Sequence, residues 1–260
     1  MMTAIIKRRG GPVMIKREYE ALFEMEDTHW WYLGHRRLYA SLLDRYCPEA
    51  ARGRVLDAGC GTGGFTQWLR DRYRPEHVVG LDVSEEALLR CGTRGLEELL
   101  CCPVEYIPLP DASFELVLSV NVLYHREVAD DLEALREIHR VLAPGGYLLL
   151  NLPALSLLRG RHDEAVGGAR RYRVSGVRRL LAQAGYETVK ITYFVFTLLP
   201  VIAAYRLWSR GETAEEGSSD LWLPPAPLNR ALESLLGFES HIAARYGLPL
   251  GSSLTALARC

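Results

Sequence analysis

Hydrophobic positions form two different patterns along the chain, and each pattern predicts one kind of element. Apolar residues recur every three or four positions in several segments, which predicts helices. These segments are residues 17–46 (two helices), 65–73, 132–142, 178–184, 198–208 and 228–246. Short continuous apolar runs predict buried strands at residues 55–56, 77–83, 114–119, 147–151 and 188–194. Strands alternating with helices predict an α/β fold.

Residues 254–258 add a last strand, which we expect at an edge of the sheet. Between the two N-terminal helices, residues 28–37 concentrate tryptophan, histidine and arginine beside a glycine. Two interpretations are open for this segment. Its aromatic residues cover the sheet or core, or it forms a lid over a ligand.

Composition narrows the class of protein. The 260 residues carry a formal net charge of −1, which argues against a large cationic surface for nucleic acid. The six cysteines lack metal-ligand spacing, so we expect reduced thiols and no metal site. No apolar signal core follows Lys7, and the apolar run 194–205 is shorter than the roughly 20 residues that span a bilayer. We therefore expect a cytoplasmic protein without a transmembrane segment.

The sequence VLDAGCGTG at residues 55–63 is the strongest motif. A short apolar strand ends in Asp57, and closely spaced glycines then allow a tight turn and a close approach of backbone to a ligand. Gly59, Gly61 and Gly64 also satisfy a dinucleotide fingerprint, GxGxxG. A carboxylate at Asp57 suits a ligand that carries an ammonium group better than one that carries a pyrophosphate.

This motif resembles motif I of the class I S-adenosylmethionine (SAM)-dependent methyltransferases. Asp82 ends the next strand about 20 residues further on, the offset of a ribose-hydroxyl acceptor. The string RVLAPGG at residues 140–146 is typical of the type 11/12 branch of that family. The resemblance implies a Rossmann-like, mostly parallel seven-stranded sheet with an antiparallel, inserted last strand. It also implies SAM as cofactor and S-adenosylhomocysteine as product.

The resemblance divides the chain into four segments. They are a tail with a helical lid (1–50), a SAM-binding core (51–195), a helical insertion between the sixth and seventh strands (196–251) and the last strand of the core (252–260). The cofactor contacts that it implies are Asp57, Gly59, Cys60, Gly61, Asp82, Val83, Val104 and Asn121, with Tyr32 and Arg36 from the lid. Two positions depart from the family pattern. Pro103 stands where an aspartate often lies near adenine, and Glu115 replaces an aspartate.

Methyl transfer needs alignment of donor and acceptor, and a base if the acceptor is a hydroxyl. The candidate catalytic residues are His125, which follows the fourth strand, the pair His162 and Asp163 in the next loop, and Tyr172. Tyr124, Arg170 and Arg171 are candidates for binding the acceptor, the arginines through an anionic group. Each of these residues also has a plain structural interpretation.

The sequence therefore predicts a SAM-dependent methyltransferase that acts on a small-molecule or natural-product acceptor, most simply at oxygen. The alternatives are methylation at nitrogen or at a carboxylate, including a peptide C-terminus, and a SAM-binding module without catalysis. The apolar helix 198–208 either packs on the core, forms a homodimer surface or lines the site. The last case would favour a partly apolar acceptor, such as a lipid-linked sugar or a modified peptide.

Overall fold

The computed structural model describes residues 16–158, 167–208 and 222–260. Within these residues, seven strands form one sheet in the order β3-β2-β1-β4-β5-β7-β6. The strands are β1 (Arg54–Ala58), β2 (His77–Asp82), β3 (Leu99–Cys101), β4 (Phe114–Val120), β5 (Leu142–Pro153), β6 (Glu187–Phe194) and β7 (Ser253–Arg259).

The pairing of the strands confirms the predicted mostly parallel sheet with an antiparallel last strand. Strands β3, β2, β1, β4 and β5 are parallel to one another, and β7 is antiparallel to both β5 and β6. The expectation that the last strand lies at an edge is wrong, because β7 pairs on both of its sides. Its residues Ala256 and Leu257 are fully buried, as suits an interior strand covered on both faces.

Helices lie on both faces of the sheet. They are α1 (Lys16–Met25), α2 (Trp30–Tyr46), α3 (Gly64–Tyr73), α4 (Glu85–Thr93), α5 (Asp131–Val141), α6 (Val174–Gln183), α7 (Leu199–Trp208) and α8 (Ala226–Arg245). Consecutive residues of β1 point to opposite faces, so Val55 packs into the core with α2 and Leu56 into the core with α5. This is why the strand is apolar at successive positions.

Two predicted boundaries are wrong. Residues 30–37 do not connect two helices but form the first two turns of α2, because the His29 imidazole accepts a hydrogen bond from Trp31 N at 3.2 Å and caps the helix at Trp30. Strand β5 begins at Leu142 rather than Tyr147, since Leu142 pairs with Phe114 before the register shifts. The glycines after Leu142 therefore lie within an irregular strand.

Helix α2 packs closely against α8, and we call this pair the cap. A Cβ atom on Gly34 would lie 2.6 Å from Leu236 Cδ1, so glycine permits the short distance between the helices. Asn229 of α8 joins the two elements further, because its Oδ1 accepts from Trp30 N at 3.0 Å and its Nδ2 donates to Thr28 O at 2.8 Å. The N-terminal segment and the insertion, predicted as separate units, thus form one helical pair.

Helix α7 has both partly buried and exposed positions among its described side chains, which end at residue 204. Ile202 packs against the core shared with α2, whereas Val201 is 67% exposed. Among the described residues, no helix combines the length and the apolar character that a bilayer span requires.

Candidate active site

Residues 59–64, the glycine loop, connect β1 to α3. Gly59 and Gly61 have φ angles of +92° and +56°, in the region that favours glycine. A Cβ atom on Gly59 would lie 2.1 Å from Val122 Cγ2, whereas one on Gly61 would meet no atom within 4 Å. The loop is therefore packed tightly at its start and open at Gly61, where a ligand can approach the backbone.

Asp57 lies beneath the glycine loop at the end of β1. Its carboxyl group is 2% exposed and accepts a hydrogen bond from Thr66 Oγ1 at 2.6 Å. Burial raises the pKa of Asp57 to about 7, and the nearby carboxylates of Asp82 and Glu26 add to this, against the effect of the Thr66 hydroxyl. A cation beside this carboxyl would stabilise its charged form. The site therefore favours a ligand group such as an ammonium.

Asp82 ends the neighbouring strand β2 and faces the same loop. Its Oδ2 accepts from Gly61 N at 2.9 Å, and its Oδ1 accepts from Ser84 N at 2.9 Å. Burial raises the pKa of Asp82, whereas these backbone N–H groups act in the opposite direction. A carboxylate oxygen can accept more than one hydrogen bond, so Asp82 retains the capacity to bind ribose hydroxyls.

The N-terminal segment is fastened to the glycine loop by an ion cluster, the latch, formed by the buried side chains of Glu26 and Arg94 and the exposed Asp27. The Arg94 guanidinium lies 2.7 Å from Glu26 Oε1 and 2.6 Å from Asp27 Oδ2, and its Nε donates to Thr62 O at 2.9 Å. Thr62 Oγ1 donates to Glu26 Oε1 at 2.6 Å. Burial raises the pKa of Glu26, opposed by Thr62 and Arg94. Sequence reasoning missed the latch, because Glu26 and Arg94 are 68 positions apart.

Tyr32 and Arg36 lie at the margin of the glycine loop. The Arg36 Nη2 atom donates to Gly64 O at 3.0 Å and to Asp27 Oδ1 at 2.8 Å. The rings of Tyr32 and Phe65, in the first turn of α3, have centroids 6.1 Å apart. Both residues are therefore close to the predicted cofactor site, and their contact with the cofactor stays a prediction.

Asn121 follows β4, which pairs with β1 on the side opposite to β2. Its φ angle of 54° is unusual for a residue with a side chain, although asparagine tolerates it better than most. Its neighbour Val122 is the residue that packs against Gly59. The ends of β1, β2 and β4 thus bring Asp57, Asp82 and Asn121 to one edge of the sheet, as predicted for parallel strands.

Residues 121–128, the His125 loop, lead from β4 toward α5. His125 forms an isolated bridge with Gly168, and Tyr124 O accepts a hydrogen bond from Ala169 N at 2.8 Å. The side-chain rings of Tyr124 and His125 lie 4.2 Å apart. The segment that begins at residue 167 therefore packs directly against the loop that carries the candidate base.

The Arg170 side chain holds the backbone of the His125 loop through hydrogen bonds. Its Nη2 donates to His125 O at 2.7 Å and also to Val128 O, and its Nη1 pairs with Asp131 Oδ1 at 3.0 Å. The Tyr172 hydroxyl lies 2.8 Å from Asp131 Oδ2 and is buried. These contacts give Arg170 and Tyr172 a structural role. Their predicted roles in binding an acceptor and in catalysis stay predictions.

The other candidate side chains are dispersed. Arg171 Nη1 donates to Ala154 O at 2.8 Å. Cys60 Sγ lies 3.8 Å from Cys91 Sγ, so this thiol faces α4. Val104 is buried in the core, whereas Val83, at the end of β2, is 38% exposed. His162 and Asp163 lie outside the described residues.

Comparison with known proteins agrees with this geometry. Residues 56–150 match a family model described as methyltransferase domain. The chain is 34% identical over 154 residues to the malonyl-acyl-carrier-protein O-methyltransferase of Dechloromonas aromatica, covering 57% of this chain and 55% of that protein. It is 37% identical over 100 residues to a fatty-acid O-methyltransferase of Mycolicibacterium smegmatis, covering 37% and 35%. The chain thus spans about half, or less, of the length of these two relatives.

A solved structure from Thermotoga maritima, a SAM-dependent methyltransferase described as a possible histamine N-methyltransferase, superposes with a TM-score of 0.60. It covers 94% of this chain and 95% of that chain at 21% identity, which shows the fold alone. Residues 56–150 are therefore a methyltransferase domain of the class I SAM-dependent type, whose cofactor is SAM, and the fold of the described chain agrees with this assignment.

Proposed function

We propose that the protein transfers the methyl group of SAM to an oxygen atom of a small-molecule or natural-product acceptor. One observation carries the proposal. The open backbone at Gly61 follows β1, next to Asp57, and donates to Asp82 of β2, while the His125 loop follows β4 on the other side of β1, at the same edge of the sheet. Donor and acceptor groups bound there would be neighbours, which is the main requirement of an in-line displacement.

The residues around the glycine loop suit SAM. Asp57 would bind the ammonium group of the cofactor, and Asp82 would accept hydrogen bonds from the ribose hydroxyls. Gly61 has no side chain, and the space where its Cβ atom would lie is open, so a ligand can approach the backbone there. When bound, SAM supplies an electrophilic methyl group on a sulfonium. The chain would hold it and exclude water with the cap and the latched N-terminal segment.

On the acceptor side, His125 is our candidate for the general base. A neutral imidazole can remove the proton of a hydroxyl near pH 7. The loop that carries it is held by Arg170 and Gly168, so the imidazole is attached to a supported backbone. The names of the two relatives above both specify transfer to oxygen, which supports this atom over nitrogen.

The cofactor part of the proposal is tested by titration calorimetry with S-adenosylhomocysteine. Asp57→Asn removes the charge that would bind the ammonium group, so we expect a loss of affinity of about tenfold or more. Asp71→Asn, an exposed position in the last turn of α3 and so away from the glycine loop, is the matched control and should bind like the wild type. Equal affinity in the two variants would contradict the assignment of Asp57.

The acceptor part is tested with methyl-labelled SAM and two sets of acceptors, extract fractions separated by polarity and a panel of carboxylic acids, alcohols and amines. We expect label in an ester or ether, with His125→Ala losing turnover while its affinity for S-adenosylhomocysteine is retained. Label only in amines would replace the proposal with the nitrogen alternative. Tight cofactor binding with no labelled product in any fraction would favour a module without catalysis.

A further inference from the structure

Buried polar side chains form a row that crosses three strands behind Asn121. Asn151 in β5 and Thr255 in β7 are both 0% exposed and directly paired across the antiparallel ladder. A buried amide or hydroxyl is costly unless it is hydrogen-bonded. Apolar residues would serve a purely structural role at these positions, as they do at Leu149 and Leu257, the next pair on the same face of the two strands. The row therefore needs another explanation.

The hydrogen bonds of the row run in one direction, toward the site. Thr255 Oγ1 donates to Asn151 Oδ1 at 2.7 Å, and Asn151 Nδ2 then donates to Asn121 Oδ1 at 3.0 Å. The side-chain oxygen of each asparagine thus accepts a hydrogen bond from the residue on its β7 side. The side-chain N–H groups of Asn121, which is partly exposed, therefore point away from the row.

The same strand also fixes the backbone of Asn121. Its N–H donates to Asn151 O at 2.9 Å, which holds the residue at its φ angle of 54°. Strain of this kind persists only where surrounding contacts over-determine the conformation, and such residues cluster at binding sites. Asn151 thus controls both the backbone and the amide of Asn121.

The position of Asn121 indicates what it meets. The strand order is β2-β1-β4, so a ligand that Asp82 on β2 bound by its ribose and Asp57 on β1 by its ammonium group would next meet the end of β4, where Asn121 lies. The ammonium group of that end is drawn to Asp57, and its carboxylate is repelled by the same residue. An amide N–H donor on the far side of β1 suits that carboxylate.

Building on the proposed function, we propose that Asn151 and Thr255 are positioning residues, which orient the Asn121 amide so that its N–H groups donate to the carboxylate of the amino-acid end of SAM. Asn151 and Thr255 lie outside both the glycine motif and the matched residues 56–150.

The test compares two ligands by calorimetry. S-adenosylhomocysteine has the amino-acid end, whereas 5′-methylthioadenosine has the same nucleoside and sulfur without it. Thr255→Val keeps the shape of the side chain and removes the hydroxyl, so we expect about a tenfold loss of affinity for S-adenosylhomocysteine and no loss for 5′-methylthioadenosine. Thr255→Ser restores the hydroxyl and should restore the affinity.

Thr192→Val is the matched control. Thr192 is also buried, lies in the adjacent strand β6 and uses its hydroxyl for Tyr193 O and Leu248 N, away from Asn121. It should change the affinity for neither ligand. A parallel loss for both ligands in Thr255→Val, or an unchanged affinity for S-adenosylhomocysteine, would overturn the proposal.

Asn121→Gly provides an independent measurement, because glycine accepts the positive φ angle while the amide is deleted. It should reproduce the selective loss, and adding Thr255→Val to it should have no further effect, as expected if Thr255 acts through Asn121. Additive losses would contradict this. A wild type that binds neither ligand would instead refute the proposed function, so the two failures are distinguishable.

Discussion

The proposed donor half and the proposed acceptor half of the site are built in different ways. In the donor half, Asp57 bonds to Thr66 nine residues away and Gly61 to Asp82 twenty-one residues away. In the acceptor half, Arg170 bonds to His125 over 45 residues. The cap, which would cover the site, likewise joins Trp30 to Asn229 over 199 residues. The difference teaches that a short motif can predict a donor site, whereas the proposed acceptor surface and the cap depend on distant segments that pack together.

The largest effect should come from Gly59→Ala, at the core of the donor half. The left-handed backbone costs a side chain roughly 1–2 kcal/mol, and the collision of the new methyl group with Val122 adds about 1–3 kcal/mol, so we expect about a 1,000-fold loss of affinity for S-adenosylhomocysteine. Gly92→Ala, in α4 with no atom within 4 Å of a Cβ, should bind normally. Normal binding by Gly59→Ala would show that the local motif does not form the donor site.

Arg94→Ala should have the next largest effect, on stability. It leaves Glu26 buried without its cation, which we expect to lower the free energy of unfolding by about 3 kcal/mol in urea titrations. The control is Arg52→Ala, because Arg52 and its partner Glu49 are both exposed, and it should change stability by less than about 0.5 kcal/mol. Similar stability of the two variants would show that the latch contributes little to the free energy of unfolding.

Gly34→Ala tests the cap. The added methyl group would force α2 away from Leu236, and such overpacking costs about 1–3 kcal/mol. We expect a lower midpoint of thermal unfolding and a loss of affinity for S-adenosylhomocysteine of only a few-fold, because α2 also carries Tyr32 and Arg36 whereas the glycine loop itself is not touched. Gly176→Ala in α6 has open space and serves as the control. A loss of affinity as large as that of Gly59→Ala would show that the donor site depends on the cap.

The smallest effect should be the pH dependence of cofactor binding. With a pKa of about 7, the Asp57 carboxyl is mostly neutral at pH 6 and mostly charged at pH 8. Affinity for S-adenosylhomocysteine should therefore be about tenfold lower at pH 6 than at pH 8, and Asp57→Asn should abolish this dependence. A flat profile in the wild type would contradict the ammonium contact.

The same raised pKa has the opposite consequence for stability. Between about pH 4 and pH 7 the folded chain keeps a proton on Asp57 that the unfolded chain has released. The contribution of Asp57 to the free energy of unfolding therefore decreases as the pH rises through this window. Comparison of Asp57→Asn with the wild type at pH 5 and pH 8 measures it.

Local patterns were sufficient for the elements of the donor half. The apolar run at Val55, the glycines and the acidic residue that ends each strand are close in sequence, so their spacing predicted β1, β2 and the places of Asp57 and Asp82. The first residues of helices and strands were predicted less well where a capping side chain or a paired strand sets them. Helix α2 begins at Trp30 because of the His29 cap, and β5 begins at Leu142 because Phe114 pairs with it.

By itself, the sequence determined the fold class and the kind of domain, and it predicted the residues of a donor site, because periodicity and motif spacing act within a few residues of the chain. Only the tertiary structure decided that β7 lies inside the sheet, that Arg94 latches the N-terminal segment, that α2 and α8 form one cap, and that Thr255 and Asn151 lie in line behind Asn121. These arrangements join residues far apart in sequence. Their energies come from burial and pairing, which no local pattern records.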